Sequence, residues 1–309
     1  MSRGIALYVV GAVTAVLLIL PAVVSTYYVS YLLLLFMYLT LALSWNLITG
    51  YTGYLALGHA AFFGIGAYVS ALLITRYNLP WPIAALAAGF GAAIGAALMG
   101  VLCLRLRHIF FAIATLAFSE AIRVIALSWD SLTKGGYGIT LTPYPYLTPF
   151  YFAMGVCAAC TILMTFLIAR SDFGLRLLAI REDEDAAEAM GVDTTKAKII
   201  AFILSAIPCG VAGGVYAPYI TFIEPLSVFN VLITTQLIVM AIFGGTGTIV
   251  GPIVGVLLLT FVQELFWVNF PFVHRVLFGA LIVLTVRYMP QGLIAPLIDK
   301  GILPRSRSI

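Results

Sequence analysis

The sequence predicts an all-α polytopic membrane protein of about ten spans (roughly 8–10), some broken by glycine, with one charged, water-exposed loop. Three observations lead there. Hydrophobic residues make up 63% of the 309-residue chain and 9% are charged, more apolar surface than one soluble core can hide, so lipid must solvate most of it. The apolar residues come in runs of about 20, the length that crosses a hydrocarbon core as a helix, without the alternation of barrel strands. Finally, residues 170–198 hold 5 of the 16 Lys+Arg and 7 of the 12 Asp+Glu, a hydrophilic island between membrane segments.

Spans are expected near 5–24, 28–48, 53–75, 82–104, 109–129, 149–169, 197–217, 229–245, 249–268 and 272–288, within a single transmembrane domain over 1–309. The N-terminal stretch has a basic residue, an apolar core and small residues at its end, as a signal peptide does. Because further apolar spans follow at once, an uncleaved first helix is the better reading. The glycines near 48–58 and 244–251 mark spans that are re-entrant or broken. Gly91/Gly95, Gly210/Gly214 and Gly251/Gly255 have the spacing that lets helix backbones approach closely in lipid. The segments 50–66 and 244–255 share a Gly-Thr-Gly-like entry into a span, a faint internal echo.

An even number of spans puts both termini on one side. Basic residues choose that side: with the termini cytoplasmic, Arg3, Arg105, Arg107, Arg170, Arg176, Arg181, Lys196, Lys198, Arg287, Lys300, Arg305 and Arg307 lie inside, against Arg76, Lys134 and Arg275 outside. Residues 170–198 then form a cytoplasmic loop and 130–148 an extracytoplasmic one, in a multi-pass protein of the inner (cytoplasmic) membrane.

Several function classes are excluded or disfavoured. The formal charge of +4 is spread in short membrane-flanking clusters with no cationic face for nucleic acid. Cys103, Cys157, Cys160 and Cys209 fall in apolar runs and read as small packing residues, Cys157 and Cys160 included despite their C-x-x-C spacing. No phosphate-binding loop, dinucleotide fingerprint, zinc-protease motif or nucleophile elbow is present, and His59, His108 and His274 are scattered. The chain is not expected to be an enzyme or to carry a cofactor or metal.

The charged loop reads as two short helices. Ser171-Asp172 supplies an N-cap before an amphipathic turn, and Glu182 to Met190 is rich in helix formers until Gly191 stops them with a positive φ. Within it, Asp185-Ala186-Ala187-Glu188-Ala189-Met190-Gly191 resembles the E-A-A-x-x-x-G signature of ATP-binding-cassette importer permeases, with Asp in place of Glu. The resemblance implies that Ala186 and Ala187 let the helix sit in a groove of an ATPase. Asp185, Glu188 and Arg181 would then set its register, and Gly191 would free its exit.

The stretch from Leu55 to Tyr68, LALGHAAFFGIGAY, resembles a segment of the branched-chain amino acid permeases of the LivM type. So do Phe111–Phe118 with Glu120 and Arg123, the GGYGI run at Gly135–Ile139, and Gly244-Gly245-Thr246-Gly247-Thr248 with Gly251-Pro252. These matches run in order from about residue 40 to 270. They imply a permease half that pairs with a second, LivH-like permease, two ATPases and an extracytoplasmic binding protein, and imports branched-chain or related amino acids. Gln236 stands where many relatives are expected to have an acidic residue, which opens urea or a short amide as an alternative solute. An ion-coupled carrier is the rival class, and it needs carboxylates deep in the spans. Glu120 and Glu264 are the candidates, and Glu120 has Arg123 one turn away. A membrane scaffold that recruits soluble proteins through the loop explains the loop but not the glycine-broken spans.

Candidate pathway residues are Asn46, His59, Phe62, Phe63, Glu120, Arg123 and Gln236. Four of them have a plainer alternative: a backbone hydrogen bond for Asn46, packing for His59, a structural ion pair for Glu120 and Arg123.

Overall fold

The computed structural model describes residues 23–269, with 105 and 108 excepted, together with residues 20 and 21 and a few positions between 276 and 293. Within them the chain forms α1 (Thr26–Thr52), α2 (His59–Tyr77), α3 (Trp81–Cys103), α4 (Ile109–Ser128), the one-turn α5 (Asp130–Thr133), α6 (Thr148–Arg170), α7 (Asp172–Glu182), α8 (Glu184–Ala189), α9 (Thr194–Ile220), the one-turn α10 (Pro225–Val228), α11 (Val231–Gly244) and α12 (Val250–Asn269). Strands β1 (Ile139–Thr140) and β2 (Phe222–Ile223) pair antiparallel, Ile139 opposite Ile223 and Thr140 opposite Phe222.

Seven helical stretches among the described residues are long and apolar enough to cross a membrane: α1, α2, α3, α4, α6, α9 and Pro225–Gly244, while Val250–Phe266 of α12 is apolar but shorter. Every span expected between residues 28 and 268 thus has a helix. Those expected near 5–24 and 272–288 lie outside the described residues, as do Arg3, Arg105, Arg275, Lys300, Arg305 and Arg307. One expected span is shortened and another is lengthened. The one drawn from residue 53 begins at His59, because Gly53–Gly58 is non-helical, and the one drawn over 229–245 is met by Val231–Gly244 and preceded by the one-turn α10 across a break at Phe229–Asn230.

The centre is a layer of α2, α3 and α9, held together by small residues. A Cβ on Gly66 would lie 2.1 Å from the Gly210 carbonyl oxygen, and one on Gly210 would lie 2.3 Å from Ala92 Cβ. Such contact is what small-residue spacing provides where no hydrophobic effect draws helices together. Ser70 adds a bond across the interface, its Oγ donating to the Gly214 carbonyl at 2.8 Å. Gly251 and Gly255 do the same for α11 and α12, with a Cβ on Gly255 falling 1.9 Å from the Met240 oxygen. Helix α1 is the most enclosed span, with contacts to α6, α9, α11 and α12.

The contacts define two ends. One gathers 77–81, the 129–147 segment and 220–230, where Arg76 donates to the backbone oxygens of Ser131 and Leu132 and β1 meets β2. The other gathers the end of α1, the start of α4, the charged α7–α8 segment and the glycine turn at 245–249.

Candidate functional site

The charged segment forms the two expected helices. Ser171 Oγ accepts from Gly174 N and Asp183 Oδ1 from Ala186 N, so each helix begins on a side-chain cap that satisfies an otherwise orphaned donor. Helix α8 ends as its residue types direct: Val192 N donates to the Ala187 carbonyl, and Gly191 has φ +87° with open space around it. Asp185, Ala186 and Glu188 are exposed and Met190 is 86% exposed, whereas Ala187 is 5% exposed and packs into its own chain. A six-residue helix lying flat has one inward face, and Ala187 takes it. Arg107 pairs with Asp185 at 2.9 Å on the surface.

The segment is fastened to the span bundle at two places. At the first, Arg181 Nη1 donates to the Gly50 carbonyl at 2.8 Å, close under the glycine turn that precedes α12. Asn46, fully buried one turn earlier, clamps that turn: its Nδ2 donates to the Thr248 carbonyl and its Oδ1 accepts from Gly247 N, both at 2.8 Å. A Cβ on Gly50 would fall 2.1 Å from Asn46 Oδ1, so glycine is what the clamp requires. The two glycine-rich segments that echo one another in sequence therefore meet here.

At the second, Lys198 lies in the first turns of α9 with its side chain 2% exposed, and its Nζ donates to Glu184 Oε1 at 2.5 Å. Tyr54 completes the group, donating its hydroxyl to the other Glu184 oxygen, accepting from Lys198 Nζ at 3.2 Å, and placing its ring 4.4 Å from the ammonium. Burial, the largest influence on the Glu184 carboxyl, acts to raise its pKa. The Lys198 and Tyr54 hydrogen bonds and the nearby cations together outweigh it, so the carboxyl titrates below its ordinary range. Burial first, and then the bond to Glu184, push the Tyr54 hydroxyl up. Removing one member of such a buried pair strands the other, typically at about 3–5 kcal/mol.

Between these anchors runs Gly53–Gly58, non-helical backbone whose polar groups are met by side chains. Trp45 Nε1 donates to the Ala56 carbonyl at 2.8 Å, while Thr52, Thr49 and Thr115 hydroxyls accept from Tyr54, Ala56 and Leu57 N. Tyr54, Ala56 and Gly58 face inward and Gly53 and Leu55 outward. Irregular backbone among apolar spans persists where protein satisfies it in this way.

Of the remaining sequence candidates, His59 and Phe62 meet, Glu120 and Arg123 meet, and the others take separate partners, so they do not converge on one site. His59 and Phe62, fully buried, stand edge-to-face with one another and with Phe202 of α9, and neither His59 ring nitrogen has a hydrogen-bond partner. Phe63 packs on Tyr216 at 5.3 Å between ring centres. Gln236 Oε1 accepts from the Tyr38 hydroxyl. Glu120 accepts from Arg123 Nε at 2.8 Å, with both side chains about a third exposed on lightly packed α4. The four cysteines are free, and among the described residues no group of His, Cys, Asp or Glu is placed to hold a metal.

An apolar helical bundle with small-residue interfaces, glycine-broken spans and a capped, charged helix pair at one end is the architecture of a membrane transport permease. Residues 27–286 match the family described as branched-chain amino acid transport system / permease component, and the chain belongs to it. It is 30% identical to the high-affinity branched-chain amino acid transport system permease protein LivM of Salmonella typhimurium, over 89% of this chain and 71% of that one. It is 26% identical to the corresponding LivH protein of the same organism, over 85% and 93%. A shorter match, 34% identical over 34% of each chain, is to the L-arabinose transport system permease protein AraH of Escherichia coli. No solved structure matches.

The sequence pointed to α7–α8 and to Arg181 but missed Tyr54, Glu184 and Lys198. The one available signal was Lys198 itself, a cation directly before the apolar run that starts at Ile199.

Proposed function

We propose that this chain is the transmembrane permease subunit of an ATP-binding-cassette importer, passing branched-chain or related amino acids received from an extracytoplasmic binding protein. It would work with a second LivH-like permease and two ATPases, which hydrolyse the ATP. The observation that carries the reading is the α7–α8 segment: two capped helices with outward-facing Asp185, Ala186, Glu188 and Met190, fastened by Arg181 and Glu184 to the spans. A surface loop without a partner needs no such double attachment. The same end carries Arg107, Arg170, Arg176, Arg181 and Lys196, the bias that marks a cytoplasmic face.

Gln236, neutral and bonded to Tyr38, supports urea or a short amide as the second reading, and the AraH relative is named for a sugar. An ion-coupled carrier is disfavoured because Glu120 is held by Arg123 and Glu264 accepts from the Tyr27 hydroxyl.

The test is position-specific crosslinking. Cysteine at Ala186 or Met190 should crosslink to the ATPase in the assembled complex and react with impermeant reagents in inside-out vesicles. Ala187, turned inward, should react slowly. Labelling of Ala186→Cys from outside intact cells would sink the reading.

A further inference from the structure

The α7–α8 segment grips the chain on both sides of one glycine. Arg181 holds Gly50 of α1, and Glu184 holds Tyr54. Between them stands Gly53, which ends α1 at φ +75° with Arg181 Cγ directly over it. Lacking a Cβ, a glycine at the junction of a helix and a non-helical segment can change its φ and ψ with little steric resistance. The backbone beyond it is held by side-chain hydrogen bonds from α1 and α4, and those can exchange without any helix unwinding. Lys198 ties the same carboxylate to the start of α9, the helix that packs across α2 and α3. An aromatic row, Tyr54, Phe111, Phe202 and Phe62, with ring centres 5.1–5.9 Å apart, leads from this point to the first turn of α2.

We propose that Tyr54, Glu184 and Lys198 are positioning residues that transmit displacement of α8 to the Gly53–Gly58 segment, with Gly53 as the pivot. A tilt of α8 moves the Glu184 carboxylate, and the two groups bonded to it must follow because both are buried. Tyr54 then swings relative to Gly50, which Arg181 keeps with α7, so Leu55 on the outward face changes its surroundings. An apolar packing cluster would resist all motion equally. This one has strong bonds at the points of attachment and exchangeable bonds along the moving backbone.

The inference rests on the ATP-driven reading, and its test separates the two. The probe is a maleimide reacting with Leu55→Cys, in a chain whose four cysteines are replaced by alanine, within the purified complex with its ATPases. Vanadate trapping after ATP should change the labelling rate at least about threefold relative to the nucleotide-free complex. Tyr54→Phe, which keeps the ring and removes the Glu184 bond, should abolish the change while ATP hydrolysis continues. Exchanging the charges, Glu184→Lys with Lys198→Glu, should restore much of the response lost in Lys198→Met. A change that survives Tyr54→Phe overturns the proposal. So does a Tyr54→Phe complex in which labelling response, hydrolysis and assembly fall together, since that is the behaviour of a static clamp. If no ATPase is retained by the otherwise unaltered chain, the permease reading fails and takes this inference with it.

Discussion

Asn46→Leu isolates what the buried clamp between α1 and the glycine turn contributes. Leucine has the branching and the number of side-chain heavy atoms of asparagine but bulkier ends, so the change removes hydrogen bonds without opening a cavity and the figure below is a lower bound on the loss. Two bonds are lost, to the Thr248 carbonyl and from Gly247 N, each 2.8 Å long and inaccessible to water. Interhelical bonds of this kind in membrane proteins contribute about 0.6–1.7 kcal/mol each, so the pair sums to roughly 1–3 kcal/mol. With about 2–4 °C of midpoint shift per kcal/mol for chains near this size, the purified protein should lose roughly 2–12 °C of thermal midpoint, read by loss of monodispersity on heating. Asn46→Asp should fall further at neutral pH. It keeps the acceptor for Gly247 N but sets a buried carboxylate against the Thr248 carbonyl. A midpoint for Asn46→Leu indistinguishable from the parent would refute the clamp and reopen a pathway role for Asn46.

Other outcomes follow from the same geometry. Gly191→Val should insert and assemble normally yet stimulate ATP hydrolysis poorly, since φ +87° with no steric neighbour confines the cost to about 1–2 kcal/mol of local backbone strain; full transport by this variant would remove Gly191 from the account. Glu120→Gln and Arg123→Gln should each lower the yield of assembled complex, and the double change should recover part of it, because it removes the stranded charge along with the attraction. Normal assembly with transport lost in all three would instead place the pair on the pathway. The Glu184 carboxyl titrates below its ordinary value of 4.5, so its stabilising contribution is fully present above that value and is lost as pH falls through the lowered one. Thermal midpoints should therefore be flat in this respect from neutrality down to that ordinary value and drop at more acid pH, and Glu184→Gln should flatten part of that acid limb. An equal acid limb in both proteins would show that Glu184 is unpaired.

Much of this architecture is readable in the sequence because its determinants are local. Apolar runs of span length announce the helices, and Ser171 and Gly191 mark where the charged helices start and stop. The Gly53–Gly58 stretch was half legible. Its glycines signal a break, but Leu55, Ala56 and Leu57 look like any span, and what holds them out of the helix comes from Trp45 and Thr115 on other helices. Lys198 and its partners were illegible for a related reason. Tyr54 stands 144 positions from Lys198 and 130 from Glu184, and nothing local says which face of α9 the lysine occupies. The pathway candidates are polar or aromatic residues inside or beside spans. Several of these residues, Asn46 and Gln236 among them, have found a partner within the protein, as buried polar groups in an apolar medium must.

The most direct measurement of the central claim is uptake into proteoliposomes holding this chain, its partner permease and their ATPases, with leucine-loaded binding protein outside the ATP-facing compartment. The account predicts uptake that requires ATP, stops with vanadate, ignores proton and sodium ionophores, and is lost when residues 183–191 are replaced by a flexible linker of equal length. Uptake that continues without ATP and collapses when the ion gradient is dissipated would contradict it.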